Sequence, residues 1–379
     1  MPRKNRLECR VTWQQVAAFR LHRHSLLQRN NPDLVTICRN VCGIQAQLMA
    51  SAEIACGVRS AKSHVQDLHS ALWKQRTLVK TTAMRQTLHL LPTDDFYIYK
   101  AAIQRSRMAA LMRVMARIEV NRRQIDVMNQ AVMDALSAGP LTKNELIERI
   151  RHTITGGLKT WMELSWSVFR PAVVEGLICY GPDRGREGTF ARVDQWLPKQ
   201  KQIDEREAQQ KLFCCCLRSY GPATLHDVSR WSGIPMSEAK AVWDSLAGEL
   251  RVVSIEGRQA WILREDLRTL QKSQLDAPVV RLLPHFDPYM LAHADKAHLV
   301  EARYYKRVYR NQGWLSPVIL LNGRVAGVWA YTRRGKALAL NVEPFEKLPR
   351  KVRSMLEQEA EIIARFMGLS VSEIHYKTA

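Results

Sequence analysis

Apolar residues recur along this chain with two different spacings, and the points where one gives way to the other divide it. A helical spacing predicts a helix over about 12–28, helices on either side of residues 43–47, and another over 63–74. Two short alternating runs follow, 77-TLVKTT-82 and 86-QTLHLL-91, which predict strands. From 95 to 120 the apolar stripe Phe96, Tyr99, Ile103, Met108, Leu111, Met112 and Met115 predicts one long helix.

The middle of the chain then says the same thing twice. QIDVMNQAVMDALSAGPLTKNELIERI reads as a helix, a Gly-Pro break and a helix capped by Thr142; LSWSVFRPAVVEGL adds a helix disturbed by Pro171, and 178–193 a hairpin. Some eighty residues on, REAQQKLFCCCLRSYGPATLHDVSRW repeats helix, Gly-Pro and a helix capped by Thr224. A turn at Gly233-Ile234-Pro235 leads to a helix capped by Ser237, with Ala239, Val242, Trp243 and Leu246 on one face, and a hairpin turning at Glu256-Gly257. The matching 139-GPLT-142 and 221-GPAT-224 predict two winged-helix units, and the first 92 residues fit a third.

Beyond residue 278 the period shortens to two. VVRLL, 316-SPVILLN-322, 324-RVAGVWAY-331 and 337-ALALNV-342 predict strands turning at Asn322-Gly323 and at 333-RRGK-336, before a helix over about 345–367. Trp329 and Tyr331 fall in the core of this unit. The expected fold is α+β, mainly α: winged helices over 1–93, 94–198 and 199–275, then a small β-barrel-like domain over 276–379.

Charge changes the picture most. The 379 residues carry a net charge of +21, with a pI near 9.9. Residues 1–30 hold seven Lys or Arg against one acid, and residues 74–123 eleven against three. Such a concentrated excess favours a polyanionic partner through counterion release, and double-stranded DNA is the expected one. The stripe of 95–120 with Arg105, Arg113 and Arg117 could instead lie on an anionic membrane, although such a stripe more often packs on a core. No apolar run is long enough to span a bilayer, and the N-terminus lacks a signal-peptide core, so a cytoplasmic protein is expected. The eight cysteines lack metal-ligand spacing, and FCCCL reads as a buried helical stretch. Neither a metal nor a cofactor is predicted, nor any obligate protein partner; a monomer is expected.

The stretch 42-CGIQAQLMASAE-53 poses the chemical question. Gln45 and Gln47 would point apart in a helix but share a side in an extended segment, which Gly43 could start by taking positive φ after a helix end at Cys42. From spacing alone, surface amides at a helix junction remain the bland account. Glu53, in the next helix, could contact the same place.

Four stretches in order, 43-GIQAQ-47, 84-MRQTLHLLPTDDF-96, 282-LLPHFDPYMLAHADK-296 and LLNGRVAGVWAY, resemble the winged-helix bacterial DNA glycosylases of the AlkZ and YcaQ type over nearly the whole chain. The resemblance implies tandem winged helices, a C-terminal barrel, and a catalytic motif of glutamine, an apolar residue, then glutamine or aspartate. Gln45-Ala46-Gln47 matches the glutamine form, with Ala46 smaller than the usual aliphatic residue. It further implies removal of N7-alkylated purines and unhooking of DNA interstrand crosslinks.

Glutamine suits that chemistry. An amide cannot protonate a leaving base at pH 7, but an N7-alkylated purine is already cationic and leaves without an acid. What remains is to hold a water below C1′ and stabilise an oxocarbenium-like centre, for which one oriented group supplies roughly 2–4 kcal/mol. Further candidates are Arg85 and His89 beside the basic segment, and His285 and Asp287 at a proline turn, as cleft residues. Arg184, Arg186 and Arg192 on the second wing, and Arg333 and Arg334 on a hairpin tip, are candidate DNA contacts. A non-enzymatic winged-helix regulator is the alternative. A nuclease or ligase would need a carboxylate cluster or a reactive-lysine motif, and neither is found.

Overall fold

The computed structural model describes residues 9–29, 32–164, 168–185, 187–199 and 201–377. The first elements among the described residues are β1 (Cys9–Val11) and α1 (Trp13–Arg23), whose start is fixed by a reciprocal pair of hydrogen bonds between Thr12 and Gln15. Then come α2 (Leu34–Asn40), β2 (Ile44–Gln45), α3 (Met49–Gly57), α4 (Val65–Trp73), β3 (Leu78–Thr82), β4 (Leu88–Pro92) and the long α5 (Phe96–Ala116). The first repeat supplies α6 (Arg122–Ala135), β5 (Leu141–Thr142), α7 (Lys143–Ile150), α8 (Gly157–Leu164), α9 (Arg170–Val174), β6 (Ile178–Arg184) and β7 (Glu187–Arg192). After α10 (Val193–Trp196), the second supplies α11 (Glu205–Tyr220), α12 (Leu225–Ser232), α13 (Met236–Ser245), β8 (Leu250–Ile255) and β9 (Arg258–Leu263), followed by α14 (Leu267–Lys272). The tail consists of β10 (Val280–Leu283), α15 (Pro288–Leu291), α16 (Tyr305–Val308), β11 (Val318–Leu321), β12 (Arg324–Arg334), β13 (Ala337–Pro344), α17 (Arg350–Met367) and β14 (Ser370–Tyr376).

The helix starts at Thr142 and Thr224 are capped as the sequence predicts, each with its third residue, Glu145 or Asp227, bonding back. Ser237 is not a cap. Its helix begins at Met236, directly after Pro235, whose fixed φ already serves as the entry. Residues 165–167, within the stretch read as a helix disturbed by Pro171, lie outside the described residues.

Strand pairing ties these units together. β2, β4, β3, β6, β7 and β5 form one six-stranded sheet, in which the hairpin of residues 78–92 joins the hairpin of residues 178–192 at Lys80 and Tyr180. β1 adds a parallel strand beside β8, and α1 packs against α11 and α14, so the start of the chain closes on the second repeat. Buried Val11, Val16, Phe19, Val253 and Ile262 make the small core that holds them. α5 runs through the middle, burying Phe96, Tyr99, Ile103, Leu111 and Met115. Each fully buried side chain of this size contributes about 1.5–3 kcal/mol.

The expected C-terminal barrel is not closed. β10-β11-β12-β13-β14 form an open sheet with β10 and β14 at opposite edges. α17 covers it, burying Val352, Leu356, Ala360, Ile363 and Ala364, so a helix shields the face that curling would otherwise hide. β14, after α17, pairs parallel with β13. Trp329 is core, donating its indole N–H to Leu283 at 2.9 Å, whereas Tyr331 is half-buried. Among the described residues, no helix is long and apolar enough to cross a membrane.

Candidate active site

Gly43 makes the turn that produces the site. Its N–H closes α2 by donating to Cys38 at 2.7 Å, and its φ of +89° redirects the chain. A side chain there would strike Leu91 at 2.5 Å. The next residues are extended: Ile44 pairs with Leu90, Gln45 with His89, and the Ala46 N–H donates to Leu88 at 2.7 Å.

The two glutamines are anchored differently. Gln45 is 7% exposed, and its Oε1 accepts from Arg85 Nη2 at 3.1 Å. Gln47 is exposed, and its Oε1 accepts from the Leu88 N–H at 3.1 Å, continuing the ladder where the strand pairing stops. Each carbonyl oxygen therefore has one fixed donor and one lone pair left.

Arg85 is held in a tight turn between β3 and β4, with φ of +53°, and its other Nη donates to the Trp231 carbonyl at 3.2 Å at the end of α12. It is a bridge between Gln45 and the second repeat. Burial lowers its pKa, with no carboxylate bonded to it among the described residues. His89, directly opposite Gln45, is buried; its Nδ1–H donates to the Thr87 carbonyl at 2.9 Å. Burial, followed by the charges of Arg85 and Arg107, pushes it down to about 3. His89 is thus neutral at pH 7 and its Nε2 carries no proton, so it cannot serve as an acid there. Lys296, half-buried, is lowered to about 7 by burial and then by Arg85 and Arg230. Among the described residues, the groups bonded to or paired with Gln45 are a guanidinium and a neutral imidazole, not a carboxylic acid.

Other predicted residues land elsewhere. Asp287 is a fully buried anchor, not a cleft residue: both oxygens accept from Arg59, at 2.7 and 2.8 Å, and it caps α15 through the Tyr289 N–H. Arg59, whose pKa burial would lower, is raised overall because Asp287 outweighs that cost. His285 lies within the C-terminal unit, bonded to the Leu315 carbonyl at 2.7 Å and edge-on to Trp314. Glu53 accepts from His69 at 2.8 Å, and its charge is felt by Lys80 and Tyr331.

The arginines divide in the same way. Arg105 pairs with Glu205 and Glu238, Arg184 with Glu145, and Arg192 with Asp194. Arg186 lies outside the described residues. Arg113 and Arg117 near the end of α5, and Arg333 and Arg334 at the β12–β13 tip, are exposed, with Arg333 bonded to the Gly335 carbonyl. Arg59 and Arg107 were not singled out in the sequence. Only the second had a signal: Arg107 interrupts the buried row Tyr99, Ile103, Leu111, Met115 at its four-residue spacing.

A sequence model of AlkZ-like DNA glycosylases matches residues 38–366, most of the chain. The chain belongs to the AlkZ-like DNA glycosylase family. It is 30% identical over 374 residues to an interstrand DNA cross-link repair glycosylase of Streptomyces sahachiroi, covering 95% of this chain and 98% of that one. The solved structure of the S. sahachiroi DNA glycosylase AlkZ is similar throughout, with a TM-score of 0.84 and 29% identity over 97% of this chain and 100% of that one. Membership makes this chain an enzyme acting on DNA, and its mixed α+β fold is similar to that of the solved AlkZ structure.

Proposed function

We propose that this glycosylase hydrolyses the N-glycosidic bond of cationic N7-alkylated purines, including those joined in interstrand crosslinks, with Gln45 and Gln47 positioning the water. The observation that supports this most is Gln45 itself: a neutral amide held rigid by Arg85, beside a histidine that cannot donate a proton. Such a site suits a leaving group that needs no acid. The C1′–N9 bond breaks, its electron pair neutralises the purine cation, and a water held by the free lone pair of the Gln45 carbonyl attacks C1′. Its proton passes to solvent. The carbonyl dipole faces the developing positive charge, and the amide of Gln47 fixes the water from the neighbouring position.

Three winged-helix units, over 1–93, 94–198 and 199–275, present the duplex to this strand, and the enzyme works as a monomer without cofactor. Exposed Arg113, Arg117, Arg333 and Arg334 are ready phosphate contacts, whereas a phosphate reaching Arg105, Arg184 or Arg192 must displace a carboxylate.

The test is direct. Duplexes carrying N7-methylguanine, or an N7-linked crosslink, are incubated with enzyme and treated with hot alkali to reveal abasic sites. Wild type yields strand breaks, and Gln45→Ala loses about 10²–10³-fold in rate at unchanged duplex affinity. Full activity of Gln45→Ala, or no release from any alkylated duplex, overturns the proposal.

A further inference from the structure

Arg107 occupies a position in α5 that its neighbours reserve for apolar side chains, yet it carries a full charge. It is 8% exposed, and its Nη2 has no hydrogen-bond partner. Among the described residues, no carboxylate forms an ion pair with it. Burying a guanidinium without a counter-ion costs several kcal/mol, so native folds rarely leave one in this state.

The groups around it make the anomaly larger. Arg107 is lowered to about 9, first by burial and then by the charges of Arg170 and Arg85. Lys100, buried nearby with its ammonium on the Val173 carbonyl, is lowered to about 7 by burial and then by Arg107. At the second repeat, Gly233 turns with φ of +78°, and a side chain there would come within 3.5 Å of the Arg85 N–H and 4.0 Å of Arg107 Nη2. These are ordinary contact distances, so the Gly233 turn lies directly against both arginines. Arg85 already spends one Nη on Gln45 and the other on Trp231.

We infer that Arg107, with Arg85 beside it at the Gly233 turn, is a built anion site that grips the phosphodiester next to the nucleotide under attack. The assignment rests on the glycosylase reading above and adds to it the place where the backbone is held. A phosphodiester suits the geometry because Arg85 touches the glutamine that works at C1′, and a nucleotide's own phosphate lies within the span of one sugar from that atom. A planar fork of N–H donors matches two phosphate oxygens, and the anion supplies the charge that the fold leaves out. This phosphate contact positions the substrate and specifies no base.

Two measurements on the full chain test it. Binding to an undamaged duplex is followed across a salt series. Arg107→Gln is expected to lower the slope of log K against log salt by about one and to weaken binding about tenfold at low salt, while Arg107→Lys keeps most of the slope. Base release is then followed on N7-methylguanine duplexes in which each phosphate flanking the lesion is replaced singly by methylphosphonate. Wild type is expected to lose about tenfold at one position, where Arg107→Gln loses nothing further.

A salt slope that Arg107→Gln leaves unchanged, or a wild type indifferent to every neutralised phosphate, overturns the site; the second needs no variant to fold. Should inorganic phosphate raise the melting temperature of wild type but not of Arg107→Gln, with no methylphosphonate position affected, the site holds a free anion and the backbone assignment falls. A lowered slope without base release from any alkylated duplex leaves the phosphate site standing and removes the glycosylase reading instead.

Discussion

Arg59 and Asp287, 228 positions apart, form a two-pronged ion pair from which water is wholly excluded. Arg59 also donates to the Ala55 carbonyl at 2.8 Å, so the pair clamps the end of α3, the helix that follows the glutamines, onto the C-terminal unit. Removing one partner leaves the other charge buried alone. Asp287→Ala or Arg59→Ala should therefore cost about 3–5 kcal/mol, read from denaturant midpoints, while replacing both with apolar residues of similar size recovers most of the loss. Two single variants each within 1 kcal/mol of wild type, roughly the cost of a surface pair, would refute the clamp.

Gly43→Ala should harm both the fold and the site. The left-handed φ costs a non-glycine residue about 1 kcal/mol or more, and the methyl group meets Leu91. Unfolding free energy should fall by about 2–3 kcal/mol. Base release should fall further than the remaining folded fraction explains, because the strand carrying Gln45 starts at this turn.

Arg85→Lys keeps the charge but not the fork. Lysine cannot hold both the Gln45 oxygen and the Trp231 carbonyl in the observed directions. The expected result is kcat lower by about tenfold with KM and duplex affinity little changed, since the loss is of orientation. A kcat equal to that of wild type would refute the orienting role, since lysine keeps the charge beside Arg107 and loses only the fork.

Acid should weaken the fold before it touches the chemistry. Burial, reinforced by neighbouring cations, pushes His89 down to about 3, His298 to about 2, and His24 and His293 well below the ordinary value. Unfolded, these rings titrate near 6.5. Below that pH the unfolded chain gains protons that the native rings refuse, so stability is complete above about pH 6.5 and declines toward pH 4 by about 1.4 kcal/mol per pH unit for each histidine. Urea midpoints at several pH values measure the slope. His24→Phe should flatten it, because that ring packs edge-on against Tyr220 and Tyr289.

How much of this could be read from the residues depends on the range of the interaction. Gly43 and the extended glutamines are local, and the turn chemistry predicts them. The row on α5 is local too, and Arg107 is visible in it as a charge at an apolar position. The partner of Asp287 is not, because nothing near residue 287 specifies Arg59. β1 has three residues, too few to show a period, and its parallel pairing with β8 rests on distant packing. β14 escaped because its alternation follows a long helix, and without it the four preceding strands suggested closure. The carboxylates beside Arg105 and Arg184 were not legible, because Glu205, Glu238 and Glu145 come near them only in the tertiary structure.

The pairing of β1 with β8 sets a timetable for making the enzyme. The glutamine strand leaves the ribosome early, but the surface on which the start of the chain settles is not translated until residues 250–263 exist, and Asp287 follows later still. A product truncated before residue 250 would carry Gln45, Arg85 and Trp231 but neither the strand that β1 pairs with nor the carboxylate that Arg59 needs. The contacts that hold α1 and the end of α3 in place thus form only once most of the polypeptide exists.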